Sequence, residues 1–394
     1  MKLSIIGVGP GEQTLLTSAA QTAIRQADRV FATRRLYQAF APLNPNTQEI
    51  ELRMLNQAIC QEKAGHIAVL CSGDVGFYSV SSMLARDFPQ AEACWYSGIS
   101  SLQALCSRLR VSYEGLKTVS LHGRDQSLVP YVCYQPRVFA LTGGKNRTDR
   151  IIEELCQAGL GFIRITVGEN LFSPQERLLI GTAQELRGVP FESLAVMLAE
   201  NPKAVNPHET LSDSRFLRGK VPMTKEEVRT VSLSKLDVQP GDCCYDIGAG
   251  TGSVSVAMAR KAWEGRVWAL EKEPKALELI QQNRQTLGAY NLTPVQASAP
   301  EGIEALPPAD KVFIGGSGGN LNAILSLCLK KNPNTRFVVN AITLETLQLA
   351  LNSLEELGCW TQVVCLNCAY GEKVGAYHMM KAQNPVYIIT GESK

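Results

Sequence analysis

The sequence predicts an α/β protein of two domains. Three observations predict it. Residues 242–245 are short and mostly apolar, read as a buried strand, and run into Asp246-Ile247-Gly248-Ala249-Gly250-Thr251-Gly252 and then into the helical pattern of 254–260. A second unit of strand, glycine turn and helix opens the chain at residue 2. At 394 residues the chain is also too long for a single compact core.

The turn at 246–252 carries the most information. Glycines let backbone approach a ligand and turn sharply without a side chain in the way. The helix that follows offers unpaired N–H groups at its start. The spacing is G-x-G-x-G, whereas a dinucleotide fingerprint is G-x-G-x-x-G, so a pyrophosphate cofactor is disfavoured. Downstream, 266–271 reads as a strand ending in Glu271, where a parallel α/β fold places an acid on ribose hydroxyls. With the acid ahead of the loop, the turn resembles motif I of the Rossmann-like S-adenosylmethionine methyltransferases. Without that resemblance it is a glycine turn and a surface Glu of an α/β protein.

In the first half, residues 2–8 form a strand running into Gly7-Val8-Gly9-Pro10-Gly11, and a helix extends through Ala27. A short strand at 30–32 and a helix at 35–40 follow. The apolar strand 66–71 ends in Ser72-Gly73-Asp74-Val75-Gly76-Phe77-Tyr78, and 93–96 leads into Ser97-Gly98-Ile99-Ser100-Ser101 and an amphipathic helix. Strands that end in small-residue loops place ligands at their carboxyl ends. Further strands are expected at 137–141, 162–167, 176–180 and 194–200, with a helix at 148–158.

The three loops, with Leu121-His122-Gly123-Arg124-Asp125, resemble those of the tetrapyrrole methylases in order and separation; Val75 stands where many members carry Pro. The resemblance covers about 1–205 and implies a two-lobed domain that methylates a precorrin at C5. It implies that Gly9, Asp74, Phe77, Ser100 and Ser101 line the cofactor cleft. His122 has a free pKa near neutrality, but a hydrogen-bonded structural role accounts for it equally, and it is assigned no proton transfer.

Prolines and polar residues break the periodicity after Glu200, so 206–221 is expected to be a linker between domains 1–205 and 222–394. Thr224 and Glu227 have the Thr-x-x-Glu spacing of a capping box, opening a helix at 225–236. From Asp242 onward strands and helices alternate regularly, with strands at 293–297, 311–314, 336–340, 362–368 and 386–390. The motif at 222–229, the glycine turn, Ala297-Ser298-Ala299-Pro300-Glu301 and the loop Gly315-Gly316-Ser317-Gly318-Gly319 resemble the precorrin C15-methylating, decarboxylating family.

That resemblance implies a seven-stranded Rossmann-like class I methyltransferase fold whose last strand is antiparallel. It implies S-adenosyl-L-methionine contacts at Thr224, Asp246, Gly248, Ala249, Gly250, Thr251, Gly252, Glu271, Ser298 and Ala299, and a substrate-side loop at 315–319. The two halves together imply methylation at C5 and C15 with loss of the ring C acetate carboxylate, on precorrin-6B or its cobalt form, in cobalamin biosynthesis. The Asn-Pro-Pro-aromatic signature of amino-group methylation does not follow Ile314, which fits a carbon nucleophile. Such a transfer needs alignment more than proton chemistry, and positioning can contribute roughly 7–11 kcal/mol. No catalytic residue is assigned.

Acids and bases nearly balance, at 37 and 39, with no basic block of the kind that tracks phosphates, so nucleic acid is not expected as a partner. No apolar run approaches the roughly 20 residues of a membrane span, and the amino terminus lacks signal-peptide character. A cytoplasmic homo-oligomer is expected. The 12 cysteines read as reduced core residues, Cys365 and Cys368 included, since a zinc site would need further ligands, and no metal is expected. Two other readings stay open at this level: a methyltransferase acting on RNA, and a non-catalytic S-adenosylmethionine-binding protein.

Overall fold

The apolar opening of the chain becomes β1 (Lys2–Gly7), whose Leu3, Ile5 and Ile6 are fully buried. Burying each such side chain contributes roughly 1.5–3 kcal/mol. In the computed structural model, which describes residues 1–393, β1 lies between β4 (His66–Cys71) and β5 (Glu92–Tyr96). With β2 (Arg29–Ala32) and β3 (Thr47–Glu49) they form a five-stranded parallel sheet in the order β3-β2-β4-β1-β5. Near-continuous burial of β1 and β4, rather than alternation, is what a parallel sheet covered on both faces requires.

A second five-stranded sheet follows: β6 (Lys117–Ser120), β7 (Arg137–Leu141), β8 (Arg164–Glu169), β9 (Arg177–Thr182) and β10 (Ala195–Glu200). Its order is β6-β7-β10-β8-β9, with β6 and β7 parallel and the remaining pairs antiparallel. Both sheets belong to one compact unit made of residues 1–128, 137–157 and 161–200. This is the two-lobed arrangement expected of the first half.

The second compact unit holds residues from 201 onward together with 129–136 and 158–160. Its sheet contains β11 (Cys243–Ile247), β12 (Arg266–Glu271), β13 (Leu292–Gln296), β14 (Lys311–Ile314), β15 (Arg336–Ala341), β16 (Cys359–Leu366) and, after an intervening hairpin, β19 (Val386–Ser393). The order is β13-β12-β11-β14-β15-β19-β16, parallel through β15, with β19 antiparallel to both neighbours. Seven strands and an antiparallel last strand are as expected. The hairpin of β17 (Ala369–Val374) and β18 (Tyr377–Ala382) was not anticipated from the sequence.

The segment 206–221, expected as a linker, is folded into this second unit. Leu211 and Phe216 are buried in its core, and the buried Arg229 donates to the Leu211 carbonyl and pairs with Asp213. Arg260, also buried, reaches the Glu209 carboxylate at 3.1 Å. The short helix Val129–Tyr134 is wholly buried there too, with the Tyr134 hydroxyl donating to Asn291 Oδ1 at 2.7 Å. Cys365 is exposed on β16 rather than packed in the core, whereas Cys244 is fully buried as expected. β16 is the end strand of the sheet and only Cys359 in it is buried, so Cys365 lies at the periphery and its core reading fails. Among the described residues no helix is long and apolar enough to cross a membrane, and no cluster of three or more His, Cys, Asp or Glu could hold a metal ion.

Candidate functional site

In the first unit the ends of β1, β4 and β5 converge so closely that only glycine fits. A Cβ on Gly98 would lie 2.4 Å from the Gly7 carbonyl oxygen and 2.5 Å from that of Gly73. Gly9 and Gly73 exchange backbone hydrogen bonds, at 3.1 and 2.8 Å, joining the first two loops. Asp74 joins the second to the third: Oδ1 accepts from the Gly76 N–H at 2.8 Å and Oδ2 from the Gly98 N–H at 3.1 Å.

Beside this junction lies a cleft with about 420 Å³ of empty volume, open mouth included. Gly9, Arg35, Gly73 and Ser101 line it on one side, and Leu171 and Val196 are among the residues that line it on the other. Of the residues implied by the family resemblance, Gly9 and Ser101 line the cleft directly. Ser100, Phe77 and Asp74 do not line it. Ser100 is buried and caps the helix Ser101–Leu109 in a capping box with Gln103. Phe77 packs edge-on against Tyr78, with centroids 4.9 Å apart, and against Phe139. His122 is exposed, its Nδ1 3.3 Å from the Thr142 carbonyl oxygen. Arg35 was missed, because a single arginine in a short helix carries no spacing signal.

In the second unit the glycine turn follows β11. Gly248 adopts φ +71°, and a Cβ there would lie 2.6 Å from the Gly316 carbonyl oxygen, so the turn and the 315–319 loop meet backbone to backbone. The Gly315 and Gly316 N–H groups both donate to the Ile247 carbonyl, at 2.9 and 3.3 Å. Ala249 is buried, and Gly252 begins the helix Ser253–Lys261 at φ +76°. Glu271, nearly buried at the end of β12, accepts from the Gly250 N–H at 2.8 Å through Oε2. Its Oε1 accepts from the Lys272 and Glu273 N–H groups at 2.9 and 3.1 Å. The acid that the spacing singled out therefore lies against the turn.

Asp246 is fully buried and accepts from the Ser255 hydroxyl through Oδ2. Burial, with the Glu271 charge as a smaller contribution, pushes its carboxyl up to about 7, against the opposing Ser255 hydrogen bond. Its Oδ1 and the buried Thr251 hydroxyl have no hydrogen-bond partner. Buried polar atoms are ordinarily paired, so the turn is shaped for a ligand that donates hydrogen bonds and carries positive charge. S-adenosylmethionine, with its ammonium and sulfonium groups, fits that donor and charge requirement.

Ser298 is exposed and Ala299 buried, and the Ala299 carbonyl accepts from Asn320 Nδ2 at 3.2 Å, which ties the 297–301 segment to the end of the 315–319 loop. Thr224 does not cap the following helix. That helix spans Glu226–Leu236, with Lys225 at the cap position and no side-chain cap. Glu227 is thereby one position too early for a capping box, and its carboxylate instead accepts from the Tyr370 hydroxyl of β17 at 2.5 Å. The Thr224 carbonyl accepts from Arg229 and, at 3.5 Å, from the Ser253 hydroxyl at the start of the glycine-turn helix.

The fold defines an α/β protein with a glycine turn at the carboxyl ends of parallel strands in each unit. Comparison with known proteins narrows this. A family model described as tetrapyrrole (corrin/porphyrin) methylases matches residues 2–187, and one described as a precorrin methyltransferase domain matches residues 216–392. A probable cobalt-precorrin-6B C(15)-methyltransferase (decarboxylating) from Pyrobaculum calidifontis is 42% identical over 183 residues, covering 46% of this chain and 94% of the relative. A precorrin-6Y C(5,15)-methyltransferase [decarboxylating] from Sinorhizobium sp is 28% identical over 393 residues, covering 98% of this chain and 94% of the relative. A solved structure of precorrin-6y C5,15-methyltransferase from Geobacter metallireducens is 42% identical, with a TM-score of 0.45, covering 47% of this chain and 97% of that one. The chain belongs to the precorrin methyltransferases, with a tetrapyrrole methylase first half and a C15-methylating second half.

Proposed function

We propose that the chain transfers methyl groups from S-adenosylmethionine to two carbons of a precorrin, C5 through the first unit and C15 through the second, with loss of the ring C acetate carboxylate. The observation that carries this is the convergence, in the second unit, of the glycine turn, Glu271 and the 315–319 loop on one end of the sheet. S-adenosylmethionine supplies an electrophilic sulfonium methyl. The chain's own residues bind and orient. Glu271 is placed to accept from ribose hydroxyls in exchange for its present backbone donors, Asp246 supplies negative charge beneath the turn, and Thr251 offers its unpaired hydroxyl. Thr224, Ser298 and Ala299 flank the same region, and the 315–319 loop faces the acceptor. In the first unit Gly9 and Ser101 bound the cofactor cleft, while Asp74, Phe77 and Ser100 hold its loops in place.

The acceptor carbon of a reduced tetrapyrrole is itself electron-rich, so alignment and exclusion of water are the main requirements. The substrate is precorrin-6B or its cobalt form. Incubating the protein with S-adenosylmethionine and each form, and weighing the products, tests the proposal: two added methyls and one lost carboxyl are expected on the preferred form. Unchanged mass on both would refute it. We also read the chain as a cytoplasmic homo-oligomer. Its 12 free cysteines support a reducing compartment. The exposed Tyr377, Met379 and Met380 of the β17–β18 hairpin support self-association, and a monomer mass in light scattering would contradict it.

A further inference from the structure

Arg35 is the one charged side chain among the residues lining the first unit's cleft. It sits on the helix Arg34–Phe40, whose Leu36 and Phe40 are anchored in the core. Its guanidinium spans two of the three loops: Nη1 donates to the Pro10 carbonyl at 2.8 Å and Nη2 to the Ser72 hydroxyl at 2.7 Å. The space it occupies depends on a neighbouring glycine, since a Cβ on Gly11 would lie 2.7 Å from Nη1.

A guanidinium has five N–H donors, and these contacts use two. No carboxylate among the described residues lies within ion-pair distance of Arg35. Partial burial lowers its pKa, as expected of a cation that has lost water without gaining a counter-ion. Two of the three buried arginines, Arg229 and Arg260, have an acid beside them, while Arg284 donates to backbone carbonyls. A planar, pre-positioned fork with free donors, facing a ligand cleft, suits a carboxylate, which it can take in a bidentate pair.

We propose that Arg35 binds a carboxylate of a ligand in the first unit's cleft and so acts as a specificity-determining residue for methylation at C5. The inference rests on the methyl-transfer reading of this unit. Two ligands of the reaction carry the group: the methionine moiety of the donor, and the acidic side chains of the precorrin.

The full-length chain serves as its own folding control, because methylation at C15 is read from the same product mass. Arg35→Gln keeps hydrogen-bond donors and removes the charge; Arg35→Lys keeps the charge and removes the fork. Arg35→Gln is expected to raise by about tenfold or more either the KM for the donor or the KM for the precorrin in C5 methylation. C15 methylation stays unchanged, and Arg35→Lys falls between Gln and the parent. Inhibition of C5 methylation by S-adenosylhomocysteine and by its decarboxylated analogue separates the two sources. If the donor's carboxylate is bound, the parent prefers the acid and Arg35→Gln does not. If the precorrin's is bound, that preference is the same in both, and only the precorrin KM rises. Arg35→Gln kinetics within twofold of the parent would overturn the proposal, as would an equal fall for both inhibitors with an unchanged precorrin KM, or a loss of C15 methylation showing a merely structural tie. Absence of C5 methylation in the parent would instead sink the reading on which the inference rests.

Discussion

Asp246 and Glu271 show how two carboxylates brought to one turn meet different surroundings. Glu271 accepts three backbone hydrogen bonds. Asp246, without that support, is pushed up to about 7 by burial. The folded-state value is raised, so the stability this group contributes is fully present below its unfolded value and is lost as pH rises through about 7. Binding runs the other way, because a cationic donor favours the ionised form. The KM for S-adenosylmethionine in C15 methylation should fall as pH rises from about 6 to about 8, and Asp246→Asn should flatten the profile while weakening binding. A parent profile as flat as that of the variant would contradict this. Glu271→Arg should lower C15 methylation on the order of 100-fold, consistent with losing charged hydrogen bonds and placing a like charge near a cationic ligand. The turn was legible in the sequence because positive φ and close backbone contact restrict position 248 to glycine. Arg35 was not, since its meaning comes from residues 25 and 37 positions away.

Among the elements, the loop junction of the first unit tolerates little change. Gly98→Ala would drive a methyl into two carbonyl oxygens; it should cost about 1–3 kcal/mol in urea unfolding and abolish C5 methylation. Asp74→Ala removes acceptors for two backbone N–H groups. Each charged hydrogen bond is worth roughly 1.5–3 kcal/mol, so C5 methylation should fall sharply while C15 methylation persists in the product mass. The strand–loop–helix pattern that placed these loops was readable because apolar runs bounded by glycines mark buried parallel strands. The cap at Thr224 was misread because a tertiary partner, Tyr370, takes the Glu227 carboxylate that the local pattern reserves for the helix start. The β17–β18 hairpin escaped notice because β18 is exposed along its whole length and has no alternation of apolar and polar residues. The helix Val129–Tyr134 escaped for the opposite reason: all six residues are buried, so no amphipathic period distinguishes it.

At the scale of the whole molecule, two folds with no common topology share one chain, each with its own glycine-lined turn. The parallel β3-β2-β4-β1-β5 sheet and the seven-stranded β13-β12-β11-β14-β15-β19-β16 sheet were both foreshadowed by strand and helix alternation. The packing of 206–221 was not. A proline-rich polar stretch reads as a linker, yet 206–221 supplies the buried Leu211 and Phe216 to the second unit. The side chains that hold this stretch, Arg229 on the Leu211 carbonyl and Asn283 on the Leu217 backbone, lie farther along the chain. The proposed division of labour, one methylation to each unit, makes a sharp demand on the chemistry. The most direct measurement is the product mass from one precorrin preparation treated in parallel with Asp74→Ala and Glu271→Arg chains. The account predicts a product methylated only at C15 and decarboxylated from the first, and one methylated only at C5 with its carboxylate intact from the second; the same loss of both methyls in the two variants would contradict it.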